Sequence, residues 1–158
     1  MALNEEVNVL RQVPLFSCLE PLRLKKLAFA SQRMHYDPTE VLFQQGDDAD
    51  KAYILISGRA EILADGASGD IRIAELPPGS IVGEVALLCG GLRTATVRAL
   101  EPLDVLAIEP QDFLAVLSED RGACVRMMRV LAQRLAVTTS DLIAARAELA
   151  QSQDGSAT

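Results

Sequence analysis

The apolar positions change period twice along the chain. Leu3, Val7 and Leu10 recur at helical spacing until Pro14 stops the run. After Pro14-Leu15-Phe16-Ser17-Cys18-Leu19, Pro21 suits the first position of a second helix. Leu22, Leu24, Leu27 and Ala28 continue it around Lys25 and Lys26. From residue 34 the pattern shortens to β-type runs. Val41-Leu42-Phe43 precedes Gly46-Asp47, Tyr53-Ile54-Leu55-Ile56 runs into Ser57-Gly58, and Ala60-Glu61-Ile62-Leu63 follows. Ile71-Arg72-Ile73-Ala74 comes after a Gly/Asp-rich loop, and further strands are expected over 94–99 and 103–108. Turn signals every roughly 8–12 residues between such runs indicate an antiparallel barrel or sandwich. Past Pro110 the helical period returns. A short helix is expected to break at Arg121-Gly122, and a long one to run over about 123–151.

This order predicts one α+β domain over residues 1–151. Its core is an antiparallel β-roll (a jelly-roll-like double-stranded β-helix) at 34–109. N-terminal helices (1–33) and C-terminal helices (110–151) flank the roll, and residues 152–158 form a small, polar tail expected to be disordered. No internal repeat is present.

Composition narrows the classes. With 49% apolar residues, a chain of 158 can bury a core without metals or disulfides. Cys18, Cys89 and Cys124 are odd in number and widely spaced, which fits neither a disulfide framework nor a zinc site, so each is expected as a buried reduced thiol. A formal charge of −7 argues against direct nucleic-acid binding by this chain. The start carries two glutamates and no signal-like apolar run, and no stretch is long enough to cross a bilayer. A cytoplasmic protein without membrane insertion is the expectation.

Candidate chemistry concentrates in 76–96. Between two strand patterns lies a short helical run, Glu84 to Leu88, preceded by Gly83 and ended by Gly90-Gly91. A helix opening there would present free N–H groups to an anion. Arg93 can reach back across the same pocket, and its guanidinium offers a phosphate two parallel hydrogen bonds. Glu84 supplies an acceptor for a sugar hydroxyl. For these two residues the bland alternative is a turn with a solvated charge, or a salt bridge to each other. Gly46, Gly58 and Gly79 are expected to be structural, and Tyr53 and Phe43 to be core.

The run Gly83-Glu84-x-Ala86-Leu87-Leu88 followed by Arg93-Thr94-Ala95-Thr96 resembles the phosphate-binding cassette of cyclic-nucleotide-binding domains. That family includes the catabolite activator protein, kinase regulatory subunits and cyclic-nucleotide-gated channels. Phe43-x-x-Gly46-Asp47-x-x-Asp50-x-x-Tyr53, continuing to Gly58-x-Ala60-Glu61-Ile62, resembles its strand-turn-strand core, and Pro14-Leu15-Phe16-x-x-Leu19 its helical entry. The likeness covers about 13–140. It departs at Leu92, where proline is common, and at Val82, where phenylalanine is frequent. The resemblance implies that Glu84 accepts from a ribose 2′-hydroxyl and that Arg93 neutralises a cyclic phosphate. The cassette would run over 83–96, with the amides of Ala86 and Leu87 on phosphate oxygens and Thr94 contacting phosphate or base.

Met128, Leu131, Leu135, Thr138, Leu142, Ala145 and Leu149 alternate at spacings of 3 and 4, a heptad seam suited to a homodimer through the 123–150 helix. Arg134-Leu135-x-Val137-Thr138-Thr139 resembles the dimer helix of the catabolite activator protein, which makes Thr138 and Thr139 candidates for reading the base. The expectation is a regulatory sensor, not an enzyme, with no cofactor or metal. Its ligand would be cyclic AMP, with cyclic GMP second, and its signal would pass through movement of the C-terminal helices. The rivals are the same fold without nucleotide binding, serving as a docking module, and a β-barrel enzyme. The single His35 cannot build the multi-histidine metal site of a cupin, and no nucleophile–base pair stands out.

Overall fold

The structure, a computed structural model, describes residues 2–156. Helix α1 (Ala2–Gln12), a 3₁₀ turn (Pro14–Cys18) and α2 (Pro21–Ala30) lead into eight strands. Pro14 and Pro21 each sit at the start of an element, where a missing N–H costs nothing. The strands are β1 (Gln32–Tyr36), β2 (Val41–Phe43), β3 (Ala52–Ser57), β4 (Ala60–Gly66), β5 (Gly69–Leu76), β6 (Ile81–Val82), β7 (Thr96–Ala99) and β8 (Leu103–Ile108). Helices α3 (Pro110–Ser118) and α4 (Arg121–Ser156) follow. The strands form two antiparallel four-stranded sheets, in the orders β1-β8-β3-β6 and β2-β7-β4-β5. This is the expected mixed architecture, a jelly-roll-like β-roll flanked by helices.

Strands β3 and β8 explain why the molecule has two cores. Successive side chains on a strand point to opposite faces, so an unbroken apolar run must be covered on both sides. Ile54, Ile56, Leu106 and Ile108 face the helices, where they join Phe16, Phe113 and Met127. Tyr53, Leu55, Val105 and Ala107 face the interior of the roll. Phe16 and Phe113 meet tilted, with centroids 5.5 Å apart, and so lock the N-terminal turn onto α3.

Among the polar residues, Glu61 on β4 is only 2% exposed. Arg72 from β5 reaches its carboxylate at 2.6 Å, and Arg98 from β7 pairs with its other oxygen. Burial raises the Glu61 carboxyl, but the hydrogen bonds from Arg98 and Arg72 outweigh it and hold the group below its usual value.

Several boundaries differ from the sequence expectation. β1 starts at Gln32 and β7 at Thr96, and the two-residue β6 gives too short a signal to read. The break between α3 and α4 falls at Glu119-Asp120, not at Arg121-Gly122. Asp120 caps α4 by accepting from the Gly122 N–H at 2.9 Å, so the glycine lies inside the first turn. α4 continues to Ser156, through most of the segment expected to be disordered; residues 157–158 lie outside the described residues. Cys18 is buried and Cys124 half-buried, but Cys89 is exposed, because it ends the cassette turn on the surface. No helix among the described residues is long and apolar enough to cross a membrane.

Candidate functional site

Arg93 is placed by its backbone before its side chain matters. Its N–H donates to the Asp47 carbonyl at 2.7 Å, and its carbonyl accepts from Gly46 N–H at 2.9 Å. The turn after β2 therefore fixes the segment that precedes β7. The guanidinium lies against the Phe43 ring, 4.0 Å from its centroid, and 5.7 Å from that of Tyr53, which stacks beside Phe43 at 5.8 Å. Burial pushes the Tyr53 hydroxyl up to about 12, so it stays neutral. Nη2 of Arg93 donates to the Lys51 carbonyl at 2.6 Å and lies 3.5 Å from Asp50. Nε and Nη1 are buried and have no hydrogen-bond partner among the described residues. Burial lowers the Arg93 pKa. A 5%-exposed cation with two unpaired donors is costly, because each unmet donor carries its desolvation penalty.

Gly83 makes room for that cation. At φ +76° it is left-handed, and a Cβ there would lie 2.3 Å from Nη1 of Arg93. The 3₁₀ turn Glu84–Leu87 starts directly after it. Gly83, Glu84, Ala86, Arg93 and Thr94 all line one cavity of about 370 Å³, whose remaining wall is largely apolar, with Ile62, Leu92 and Val97. The arrangement offers a buried cationic fork, one carboxylate and an apolar wall. That combination fits a small ligand with an anionic group, a hydroxyl and a flat apolar part.

Not every candidate residue arrives there. The Leu87 side chain is fully buried in the helix-side core, which leaves only its backbone for the site. The Ala86 N–H already donates to the Gly83 carbonyl at 3.0 Å. Thr138 does not line the cavity. It lies across a separate apolar groove between the 3₁₀ turn and α4, with Leu88, Leu131 and Leu135. The Thr139 hydroxyl donates to the Leu135 carbonyl at 2.8 Å, within its own helix. Leu131 of the seam packs against the helix-side core.

Sequence reasoning missed Arg134. From α4 its Nη2 donates to Glu84 Oε1, and this hydrogen bond raises the arginine's pKa. The residue stood inside a run already singled out, but nothing local pairs it with a carboxylate 50 positions earlier. Asp50 and the Lys51 carbonyl, which orient Arg93, were missed for the same reason.

The family model of the cyclic nucleotide-binding domain matches residues 33–120. Acetyltransferase Pat from Mycolicibacterium smegmatis is 33% identical over 121 residues, which cover 77% of this chain and 36% of that protein. The chain spans about a third or less of the length of the curated relatives it matches. Among solved structures, the N-terminal domain of a transcriptional regulator from Streptomyces coelicolor A3(2) superposes with a TM-score of 0.78 at 27% identity, covering 85% of this chain and 94% of that one. The regulatory domain of Toxoplasma gondii PKA, crystallised with cAMP, gives a TM-score of 0.69 at 27% identity, covering 73% of this chain and 44% of that one. By its fold, its matched segment and the constellation around Arg93, the chain belongs to the cyclic nucleotide-binding domain family.

Proposed function

We propose that the chain is a regulatory sensor that binds a purine 3′,5′-cyclic monophosphate, cyclic AMP ahead of cyclic GMP. The carrying observation is the pair of buried, unpartnered donors on Arg93, beside a cavity that also holds Glu84. A cyclic phosphate accepting from Nε and Nη1 would remove their desolvation penalty in a bidentate geometry. Glu84 would take the ribose 2′-hydroxyl, Thr94 the phosphate or base, and the apolar wall the purine face. The Leu87 amide would serve a phosphate oxygen, and the Ala86 amide would share itself between that phosphate and Gly83. The likeness to a PKA regulatory domain crystallised with cAMP supports the adenine preference.

In this reading the described helices and roll act as one cytoplasmic unit that carries no reaction itself. Thr138 and Thr139 lie outside the cavity, so base reading by α4 requires that helix to move, and its movement is the signal. The exposed seam of α4 would pair with a second copy. Isothermal titration of the chain with cyclic AMP and cyclic GMP tests the reading. Saturable binding, tighter for cyclic AMP, is expected. Absence of binding by both would leave a docking module of the same fold.

A further inference from the structure

We propose that Arg23 and Lys26 of α2 form an electrostatic clamp on the joint between α3 and α4, and that releasing this clamp favours nucleotide capture. The inference rests on the nucleotide reading above and adds the element that restrains α4.

The joint consists of Glu119 and Asp120, and two cations from α2 and one from α4 converge on it. Arg23 Nη1 donates to Glu119 Oε2 at 2.7 Å, and Lys26 Nζ donates to the same oxygen at 3.1 Å. Arg23 Nη2 also reaches the Glu119 carbonyl at 3.5 Å, while its Nε lies 3.7 Å from Asp120 Oδ2. From α4, Arg126 contacts Asp120 Oδ2 at 3.3 Å and donates through Nε to the Cys18 carbonyl at 3.0 Å. Lys26 holds the Glu119 carboxyl below its usual value by that hydrogen bond. A lone surface pair does little for a fold, but three cations sharing two adjacent carboxylates act as a network.

Position turns this network into a device. α2 is anchored through Leu24 and Leu27, and α3 and the first turns of α4 through Phe113, Ala123 and Met127. From Ala132 to Gln153 every α4 residue is exposed. The Arg134–Glu84 pair joins this exposed stretch to the cassette. Among the described residues the break at 119–120 directly precedes this helix, and a turn there, with Ala123 and Met127 sliding on the helix-side core, would carry the exposed stretch over the cavity. The clamp crosses that break and holds the arrangement in which Thr138 faces the groove and not the cavity. A binding-competent arrangement populated by a fraction f weakens apparent affinity by 1/f, so a restraint on the pivot lowers affinity and its removal restores it.

The test uses the full chain with Glu119→Gln and, separately, Arg23→Gln with Lys26→Gln; all three side chains are partly solvent-exposed, so the variants should fold. Both variants should bind cyclic AMP about three- to tenfold more tightly than wild type by titration. Amides of residues 119–126 should also exchange faster in the ligand-free state. Unchanged or weaker affinity overturns the clamp, as does unchanged exchange. If the wild type binds neither cyclic AMP nor cyclic GMP, the nucleotide reading falls by itself, and the exchange rates alone decide whether α2 restrains the joint.

Discussion

Glu84, on the 3₁₀ turn at the cavity, accepts a hydrogen bond from Nη2 of Arg134 on α4, so the carboxylate proposed for ribose is already tied to that helix. Its side chain is 22% exposed, and that of Arg134 45%. A ligand hydroxyl that reaches Glu84 therefore shares it with a cation.

The sharing has a measurable consequence. A 2′-deoxy ligand leaves Glu84 paired with Arg134 in the wild type, so its penalty is moderate, about tenfold. In Arg134→Ala the same ligand would leave Glu84 without a partner. The preference for the ribose form should then rise several-fold, as read from parallel titrations. Equal preferences in the two proteins would show that Arg134 does not share Glu84 with the ligand, and equal affinities of the wild type for the ribose and 2′-deoxy forms would remove Glu84 from the ribose role.

Arg93→Lys keeps the charge but loses the fork. Affinity for cyclic AMP should fall at least about tenfold, or about 1.4 kcal/mol, with little change in the circular dichroism spectrum. Unchanged affinity would mean that another group holds the phosphate.

Gly83→Ala should be harsher than its size suggests. The new Cβ would meet Nη1 of Arg93 at 2.3 Å and the Lys51 carbonyl at 3.1 Å, at a φ that costs an alanine about 1 kcal/mol or more. Lower stability together with loss of nucleotide binding is expected in melting and titration experiments. A fully binding Gly83→Ala protein would show that the guanidinium does not need this position.

Arg98→Ala leaves Glu61 buried with one cation in place of two, a loss of about 1–3 kcal/mol of stability at neutral pH. The folded pKa of Glu61 is depressed, so its contribution is full above the unfolded value near 4.5 and disappears as pH falls through the folded one. Glu61→Gln should therefore flatten the loss of stability below about pH 4.5. A variant with the wild-type acid limb would show that other carboxylates control acid unfolding.

On α4, Met128, Leu135, Leu142 and Leu149 follow one another at seven-residue intervals and are 61%, 68%, 53% and 60% exposed. Four apolar side chains on one stripe call for a partner. Leu142→Glu with Leu149→Glu should convert a dimer into a monomer in sedimentation. A wild type that sediments as a monomer at high micromolar concentration would end both the dimer and any cross-subunit role for Thr139.

Period alone was enough for an antiparallel barrel or sandwich, because a strand covered on both sides reads as an unbroken apolar run such as Tyr53-Ile54-Leu55-Ile56, and two prolines marked the helix starts. The cassette was legible because Gly83, Glu84, Arg93 and Thr94 lie within a dozen residues, where local spacing carries the information. Legibility failed where a partner is remote in sequence. Arg134 reaches Glu84, Arg23 reaches Glu119, and Lys51 offers its carbonyl to Arg93 only because the sheets and helices fold back on one another. Thr138 shows the same limit from the other side: its spacing on α4 is plain in the sequence, but only the packing of α4 places it on the groove and not on the cavity. A hydrophobic period reports which face of an element is buried. The direction of a helix beyond a joint depends on contacts across the whole fold, and only the tertiary structure supplies them.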